Sequence, residues 1–292
     1  MHPKFSADAL LDRWSFDPVV LVLIAAAGTL YWLGLRRLRS GPPFPASRPA
    51  AFYAGLAVVL LALVAPIDTY ADVSFSDHMV QHSLLTLLAA PLLALGAPVT
   101  LALRTVSVST RKRFLLPALH SGAARVVSHP VFAWTVFATV QYVTHFTPFY
   151  NAALENDAIH SLEHGLYLTA GLIFWWPVVG LDPSPRRLSH PARLLYLVLA
   201  MPLEAFLGVA IMSADTVLYA HYVTLPAPWG GRAALLDQGN AGSIMWIAGE
   251  LTVLIAGLLV AGAWMRHTEA RQRRIEAEMD RVAGVSEARS RS

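Results

Sequence analysis

The sequence contains no cysteine. This absence excludes disulfide bonds, thiolate metal sites and CxxC redox chemistry together, so any metal must be held by histidine, methionine or carboxylate side chains. Charged residues are also scarce, at 14% of the chain, whereas soluble domains have about 25%. Because 55% of the residues are hydrophobic, the composition indicates an integral membrane protein rather than a soluble one.

The apolar residues fall into seven runs between residues 17 and 265, each long enough for the roughly 20-residue helix that crosses a bilayer. These predicted spans lie at about 17–38, 50–66, 79–103, 129–147, 158–180, 192–213 and 241–265. Residues 1–16 lack an apolar core, so we expect a short outer N-terminal segment and no cleavable signal peptide. Residues 266–292 form a charged tail that either extends the seventh helix or lies on the membrane surface.

Lysine and arginine are distributed unequally between the two sides of this predicted bundle. Nineteen of the 22 lie in the loops after the first, third and fifth spans or in the tail, and only Lys4, Arg13 and Arg232 lie on the other side. The positive-inside rule therefore places the N-terminus outside and the C-terminus in the cytoplasm. The predicted fold is an all-α membrane protein, a bundle of seven transmembrane helices.

The predicted outer loops are acidic. This is either the complement of the positive-inside rule or a negatively charged vestibule that concentrates cations. The acidic residues concerned are Asp68, Asp72, Asp77, Glu155, Asp157, Asp215 and Asp237.

Histidines gather at the outer ends of three predicted spans. His78 and His82 are four residues apart, as are His160 and His164, so each pair shares one helical face. The fourth span repeats this spacing with Gln141 and His145 at its outer end. Imidazole is a common metal ligand, and ionisable groups in membrane helices tend to mark function. These five histidines are therefore the candidate metal ligands, although a single histidine at a helix end is usually structural.

Several further residues are possible accessory groups at such a site. Thioether ligands select Cu(I), so the methionines, together with the absent cysteines, favour copper over zinc, unless they only fill the core. Two carboxylates, Glu204 and Glu250, lie deeper in the predicted membrane region. Each either pairs helices through a hydrogen bond or lines an ion path. The accessory residues are Met79, Gln141, Glu163, Glu204, Met212, His221 and Glu250.

Two other functions use the same histidines. His160-Ser-Leu-Glu163-His164 matches the HxxEH motif of zinc proteases, in which two histidines bind zinc and the glutamate activates water. On a helix, however, Glu163 projects about 100° away from its neighbour His164. Alternatively, two facing histidines clamp a haem.

The sequence also resembles a known family, the multi-pass CtaG-type cytochrome c oxidase assembly factors. This family is different from the single-span copper chaperone that has the same name. The resemblance covers about residues 50–266. It rests on Asp77 to His82, Ala90-Pro91, Leu95 to Pro98, His129-Pro130, His145, His160-x-x-Glu163-His164, Gly171, Phe174 to Pro177, Gly180, Asp182-Pro183, Asp237-Gln238, Gly242 and Met245-Trp246. Asn240 and Ser243 are where variation is expected.

The resemblance implies a seven-span protein of the bacterial plasma membrane that acts on copper during assembly of haem–copper oxidase. Its expected partners are the lipid bilayer, oxidase subunits and other copper assembly factors, with no nucleic acid. It implies a non-enzymatic role. The alternative is a copper transporter or permease, which requires polar groups through the full membrane thickness.

Overall fold

The computed structural model describes residues 14–38, 42–226 and 232–290, and all regular structure in these ranges is helical. Most of the predicted N-terminal segment therefore lies outside the described residues. The helices are α1 (Pro18–Arg36), α2 (Ser47–Leu63), α3 (Pro66–Ala71), α4 (Phe75–Ser83), α5 (Ala90–Leu95), α6 (Pro98–Thr105), α7 (Val108–Thr110), α8 (Leu116–Leu119), α9 (Gly122–Val127), α10 (Pro130–Phe146), α11 (Phe149–Glu155), α12 (Asp157–Val179), α13 (His190–Met212), α14 (Ala220–Thr224) and α15 (Arg232–Ser290).

Five helical stretches are long and apolar enough to cross a membrane. They are Pro18–Arg36, Ser47–Ala71, Phe75–Thr105, His190–Met212 and Ala233–Met279. The fourth and fifth predicted spans correspond to α10 and α12. Neither is among the five stretches. Helix α10 has only 17 residues, and α12 has several ionisable residues in its first half. The all-helical membrane fold is thus confirmed, whereas the count of seven spans stays a prediction.

Consecutive long helices run in alternating directions, which defines two ends of the bundle. At one end, Ser15 N donates to Val64 O, and Tyr219 Oη donates to His145 O. At the other end, Arg104 donates to Pro42 O. We call the first the histidine end, because α4, α10 and α12 bring their histidines there, and the second the arginine end.

The segment after α4 departs from α-helical hydrogen bonding just below the histidines. Leu84–Ala89 forms a π-helical turn in which Ala90 N donates to Leu85 O. In an α-helix this N–H would bond to Thr86 O. The freed Thr86 carbonyl instead accepts a hydrogen bond from Trp175 Nε1 on α12, at 2.9 Å. The π turn therefore joins the two helices that carry four of the five candidate histidines, in keeping with the frequent occurrence of such turns at functional sites.

Helices α13 and α15 pack closely against each other at a pair of glycines. A Cβ added to Gly208 would lie 2.6 Å from Gly242 O, and one added to Gly242 would lie 2.6 Å from Gly208 O. Glycine at both positions therefore lets the two backbones touch.

The seventh predicted span begins earlier than expected. Instead of starting near residue 241, α15 begins at Arg232 and continues through the tail to Ser290. The polar residues Asp237 and Gln238, which suggested a loop, lie within its first turns and bond to other segments. The tail was expected either to extend the seventh helix or to lie on the membrane surface. In the structure it extends the helix.

Candidate metal centre

The position of α4 is fixed at its N-terminus by a residue from α15. Asp237 accepts hydrogen bonds from Phe75 N at 2.6 Å and from Ser76 N at 3.3 Å, and the Ser76 hydroxyl also bonds to it. These N–H groups have no partner within the helix, and a carboxylate there also interacts favourably with the helix dipole. Asp237 therefore sets where His78 and His82 enter the bundle. It caps α4 from a position on helix α15, rather than lying in the outer loop that the sequence predicts for it.

Three ligand atoms from two helices form a tight triangle. His78 Nε2 lies 3.0 Å from His82 Nε2. Glu163 Oε2 of α12 lies 3.4 Å from His78 Nε2 and 3.7 Å from His82 Nε2. The point equidistant from the corners of a triangle with these three sides is about 2.0 Å from each atom, which is the length of a metal bond to imidazole or carboxylate. The triangle therefore has the dimensions needed for one metal ion to contact all three atoms.

The remaining histidines surround this triangle. His160 offers a ring nitrogen that lies within 4.8 Å of ligand atoms of both His78 and Glu163. The ring centroid of His164 lies 4.3 Å from that of His160 and 6.2 Å from that of His82. His145 approaches from α10, with its centroid 6.4 Å from that of His82. The structure brings all five predicted histidines together, while their role as metal ligands stays a prediction.

The cluster buries polar atoms that lack partners. His78 and Glu163 are fully buried, and His82 and His145 are each only 3% exposed. Neither carboxylate oxygen of Glu163 has a hydrogen-bond partner, nor does Nε2 of His160 or His164. Buried polar groups left unpaired cost free energy and are rare in folded proteins. A bound cation would satisfy these atoms. The imidazole nitrogens and carboxylate oxygens of this cluster are therefore a donor set that fits a metal site.

Methionine and tyrosine side chains complete the wall of the cluster. Met79 Sδ lies 3.3 Å from His145 Nε2. Tyr167 stacks on His82 with a centroid distance of 3.8 Å, and its hydroxyl bonds to Thr144. Tyr150 packs 4.9 Å from the ring of His78. The sequence prediction missed both tyrosines. For Tyr167 the signal was present, because it lies four residues after Glu163 and so shares its helical face.

Glu163 has a more central place than the sequence suggested. The helical-wheel argument correctly separates it from His164, but it does not fix how α12 is rotated about its own axis. In the structure that rotation directs Glu163 towards His78 and His82. It therefore belongs to the tightest group of candidate ligand atoms, while its role, accessory or direct, stays a prediction.

Four predicted accessory residues lie outside the cluster or serve another contact. Gln141 Nε2 donates to Glu204 Oε1 at 2.8 Å, which links α10 to α13 as a helix-pairing hydrogen bond. Met212 ends α13 and is 39% exposed. His221 Nε2 donates to the carbonyl oxygen of Asp72 at 2.8 Å and so ties α14 to the loop after α3.

The last accessory residue, Glu250, is partly exposed on α15, beside Gly249, which packs on Glu204. Directly below His82 there is only a cavity of ≈ 10 Å³, lined by His82, Gln141, Glu204 and Met245, among others. This is about the smallest space that holds one water molecule.

Fold and site together define an all-helical membrane protein with a buried histidine–glutamate cluster near one end of its bundle. The family model described as "Cytochrome c oxidase caa3 assembly factor (Caa3_CtaG)" matches residues 29–267. The chain belongs to this family, which confirms the resemblance drawn from its residues.

Curated relatives are mycobacterial. The chain is 33% identical over 286 residues to an uncharacterized protein of Mycobacterium bovis and, equally, to one of Mycobacterium tuberculosis. It is 32% identical over 261 residues to an uncharacterized protein of Mycobacterium leprae. The matches cover 94%, 94% and 87% of this chain but only 42%, 42% and 40% of the relatives, so the chain spans about two fifths of their length. No solved structure matches the chain.

Proposed function

We propose that this protein is a copper-binding, non-enzymatic assembly factor for haem–copper cytochrome c oxidase, which holds or delivers copper through the histidine cluster. The single observation that carries the proposal is the triangle of His78, His82 and Glu163, whose equidistant point lies about 2.0 Å from each ligand atom. Membership of the assembly-factor family supplies the process in which the metal is used.

Copper is favoured over zinc by the thioether at the edge of the cluster. Met79 is fully buried, and its sulfur faces His145 at 3.3 Å. Imidazole accepts both metals, whereas thioether sulfur selects Cu(I). The copper is cargo, so the chain's own task is to hold it in a dry, shaped site and release it to a partner.

The topology that goes with this function has seven spans, an outer N-terminus and a cytoplasmic C-terminus in the bacterial plasma membrane. The arginine-rich loops and the tail then face the cytoplasm, as the positive-inside rule requires. The histidine end faces outwards, where oxidase subunits or other copper assembly factors exchange metal with it.

A copper transporter is the alternative, and it requires polar groups across the whole membrane. Below the cluster, the buried polar side chains Gln141 and Glu204 are hydrogen-bonded to each other. Beyond them lies the apolar core around Phe137, Phe174 and Trp175. This arrangement favours a site that is loaded and unloaded from one end.

The protease and haem alternatives fit the geometry less well. In an HxxEH protease the glutamate activates water and does not ligate zinc, whereas Glu163 Oε2 lies at 3.4 Å from His78 in the triangle of ligand atoms. For haem, the ring centroids of His78, His82, His160 and His164 are separated by only 4.3–6.2 Å along the cluster. The widest of these spacings, 6.2 Å between His82 and His164, is about that of two imidazoles on one haem iron, but the cavity beside His82 measures only ≈ 10 Å³ and is far too small for a porphyrin.

The proposal is tested in cells that depend on this protein for oxidase assembly. Strains carrying His82→Ala or His164→Ala are compared with one carrying His120→Ala, an exposed histidine near the arginine end. We expect normal membrane levels of all three, with oxidase short of copper only in the first two. Full oxidase activity in the His82 and His164 variants would mean that these histidines are structural.

A further inference from the structure

A groove between α1 and α12, with α2 as its floor, reaches the histidine cluster from the side. Its volume is ≈ 750 Å³. Most of its length is apolar, lined for example by Val20, Ile24 and Leu56. His160 and His164 line the same groove towards the histidine end.

The rings of His160 and His164 stand between this groove and the buried ligand atoms. On the far side from the groove, the His160 ring stacks against His78 with a centroid distance of 5.0 Å. The His164 ring lies 6.2 Å from that of His82. Both residues are only partly buried, yet Nε2 of each is buried without a hydrogen-bond partner. These two side chains are therefore placed to receive an ion from the groove and to pass it inwards.

Among the described residues, aromatic side chains cover the buried histidines from other directions. Tyr150 and Tyr167, each at most 1% exposed, cover His78 and His82 from two sides. Below His82, the ≈ 10 Å³ cavity is too small for passage of a ligated metal. Of the residues in the cluster, His160 and His164 are the ones that line the large groove.

The mouth of the groove is acidic. Four aspartates line it, and the described lining residues include no lysine or arginine. Asp17 also caps α1 through Val19 N, and Asp68 also accepts a hydrogen bond from Gln81. A cleft lined by one sign of charge with apolar walls raises the local concentration of the opposite ion and its association rate. The four aspartates are Asp17, Asp68, Asp72 and Asp157.

We propose that copper enters and leaves the cluster laterally through this groove, with the aspartates attracting the cation and with His160 and His164 as its first imidazole ligands. The metal then exchanges onto His78, His82 and Glu163, so that each bond to a groove residue is replaced by one to a buried ligand. This inference rests on the proposed copper function, and it assigns the acidic residues near the groove to entry rather than to charge balance alone.

The test obstructs the groove without touching a ligand. Gly165 lines the groove and is exposed, and a Cβ added there would meet no atom within 4 Å. Because the chain has no cysteine, Gly165→Cys offers one thiol, which is alkylated either with small N-ethylmaleimide or with a bulky maleimide. Gly239→Cys is the matched control, since its added Cβ also meets nothing within 4 Å but the residue does not line the groove.

Copper(I) is supplied from a chromophoric chelator, and both the loading rate and the final copper content are measured on the purified full chain. The bulky adduct at position 165 should slow loading at least tenfold and leave the final content unchanged, whereas the small adduct and both adducts at position 239 should not. Equal loading rates for both adducts at position 165 would overturn the lateral route. If the unmodified protein binds no copper, the proposed function itself fails, and the route fails with it.

A second variant tests the acidic mouth independently of steric obstruction. Asp157 is exposed in the first turn of α12, so Asp157→Asn removes one charge and no ligand atom of the cluster. Its loading rate should fall several-fold at low ionic strength and approach that of the unmodified protein at high salt, because screening removes steering. A rate that is unchanged at low salt would contradict the role of the mouth.

Discussion

Replacing Glu163 by glutamine separates a metal ligand from a structural ion-pair partner. Glutamine keeps the shape of the side chain but removes its charge and one of its two carboxylate oxygens. Oε2 is one corner of the triangle whose centre lies about 2.0 Å from each ligand atom. Losing a residue that only orients a ligand lowers metal affinity by about 10–100-fold, so loss of a direct ligand should exceed about 100-fold, or about 2.8 kcal/mol.

The metal-free protein should respond differently to the same substitution. Neither oxygen of Glu163 has a hydrogen-bond partner, and its contacts with the two imidazoles are 3.4 and 3.7 Å long. The substitution therefore breaks no hydrogen bond, and stability should be kept or raised. Removing one partner of a strong buried ion pair would instead cost about 3–5 kcal/mol.

The assay combines competitive copper titration with thermal unfolding of the metal-free protein in detergent. Glu155→Gln serves as control, because that glutamate is exposed at the end of α11. Unchanged copper affinity together with a large drop in the unfolding temperature of Glu163→Gln would refute the reasoning and assign Glu163 a structural role.

Three further predictions follow from the fold and topology. A single cysteine in place of Glu155 should be labelled by impermeant reagents from outside the cell, whereas one in place of Arg111 should not; labelling of position 111 would refute the topology. Gly208→Ala should lower stability by about 1–3 kcal/mol, since its Cβ would lie 2.6 Å from a backbone oxygen of α15, whereas Gly257→Ala, with open space around it, should not; equal unfolding temperatures would contradict this packing. Asp237→Ala should cost about 1–2 kcal/mol in unfolding free energy as a lost helix cap and weaken copper binding less than Glu163→Gln does; unchanged values of both would show that the cap does not position α4.

Sequence spacing was enough to place the histidines at one end of the bundle. The i,i+4 pairs in two helices, and the alternation of span direction, put the pair His78/His82 and the pair His160/His164 at matching depths, and the structure has their rings in contact. Family membership was likewise readable from motif residues and is confirmed.

Helix rotation and tertiary capping were not readable from the sequence. The direction of Glu163 depends on how α12 packs against α4, and Met212 turns outwards in the last turn of α13. Asp237 was predicted to lie in an outer loop before the seventh span, but in the structure it and Gln238 lie on α15 and bond to Phe75 and Leu218, far away in sequence. Such contacts follow from the fold as a whole, which spacing within one helix does not specify.

The central claim is most directly tested by copper K-edge X-ray absorption of the purified, copper-loaded protein. We expect stoichiometric copper with nitrogen or oxygen neighbours at about 2.0 Å, including imidazole from more than one histidine. We also expect this signal to be lost in the His78→Ala/His82→Ala double variant and kept in His120→Ala. Failure to load copper, or an imidazole signal that persists in the double variant, would contradict the assignment of this cluster as the copper site.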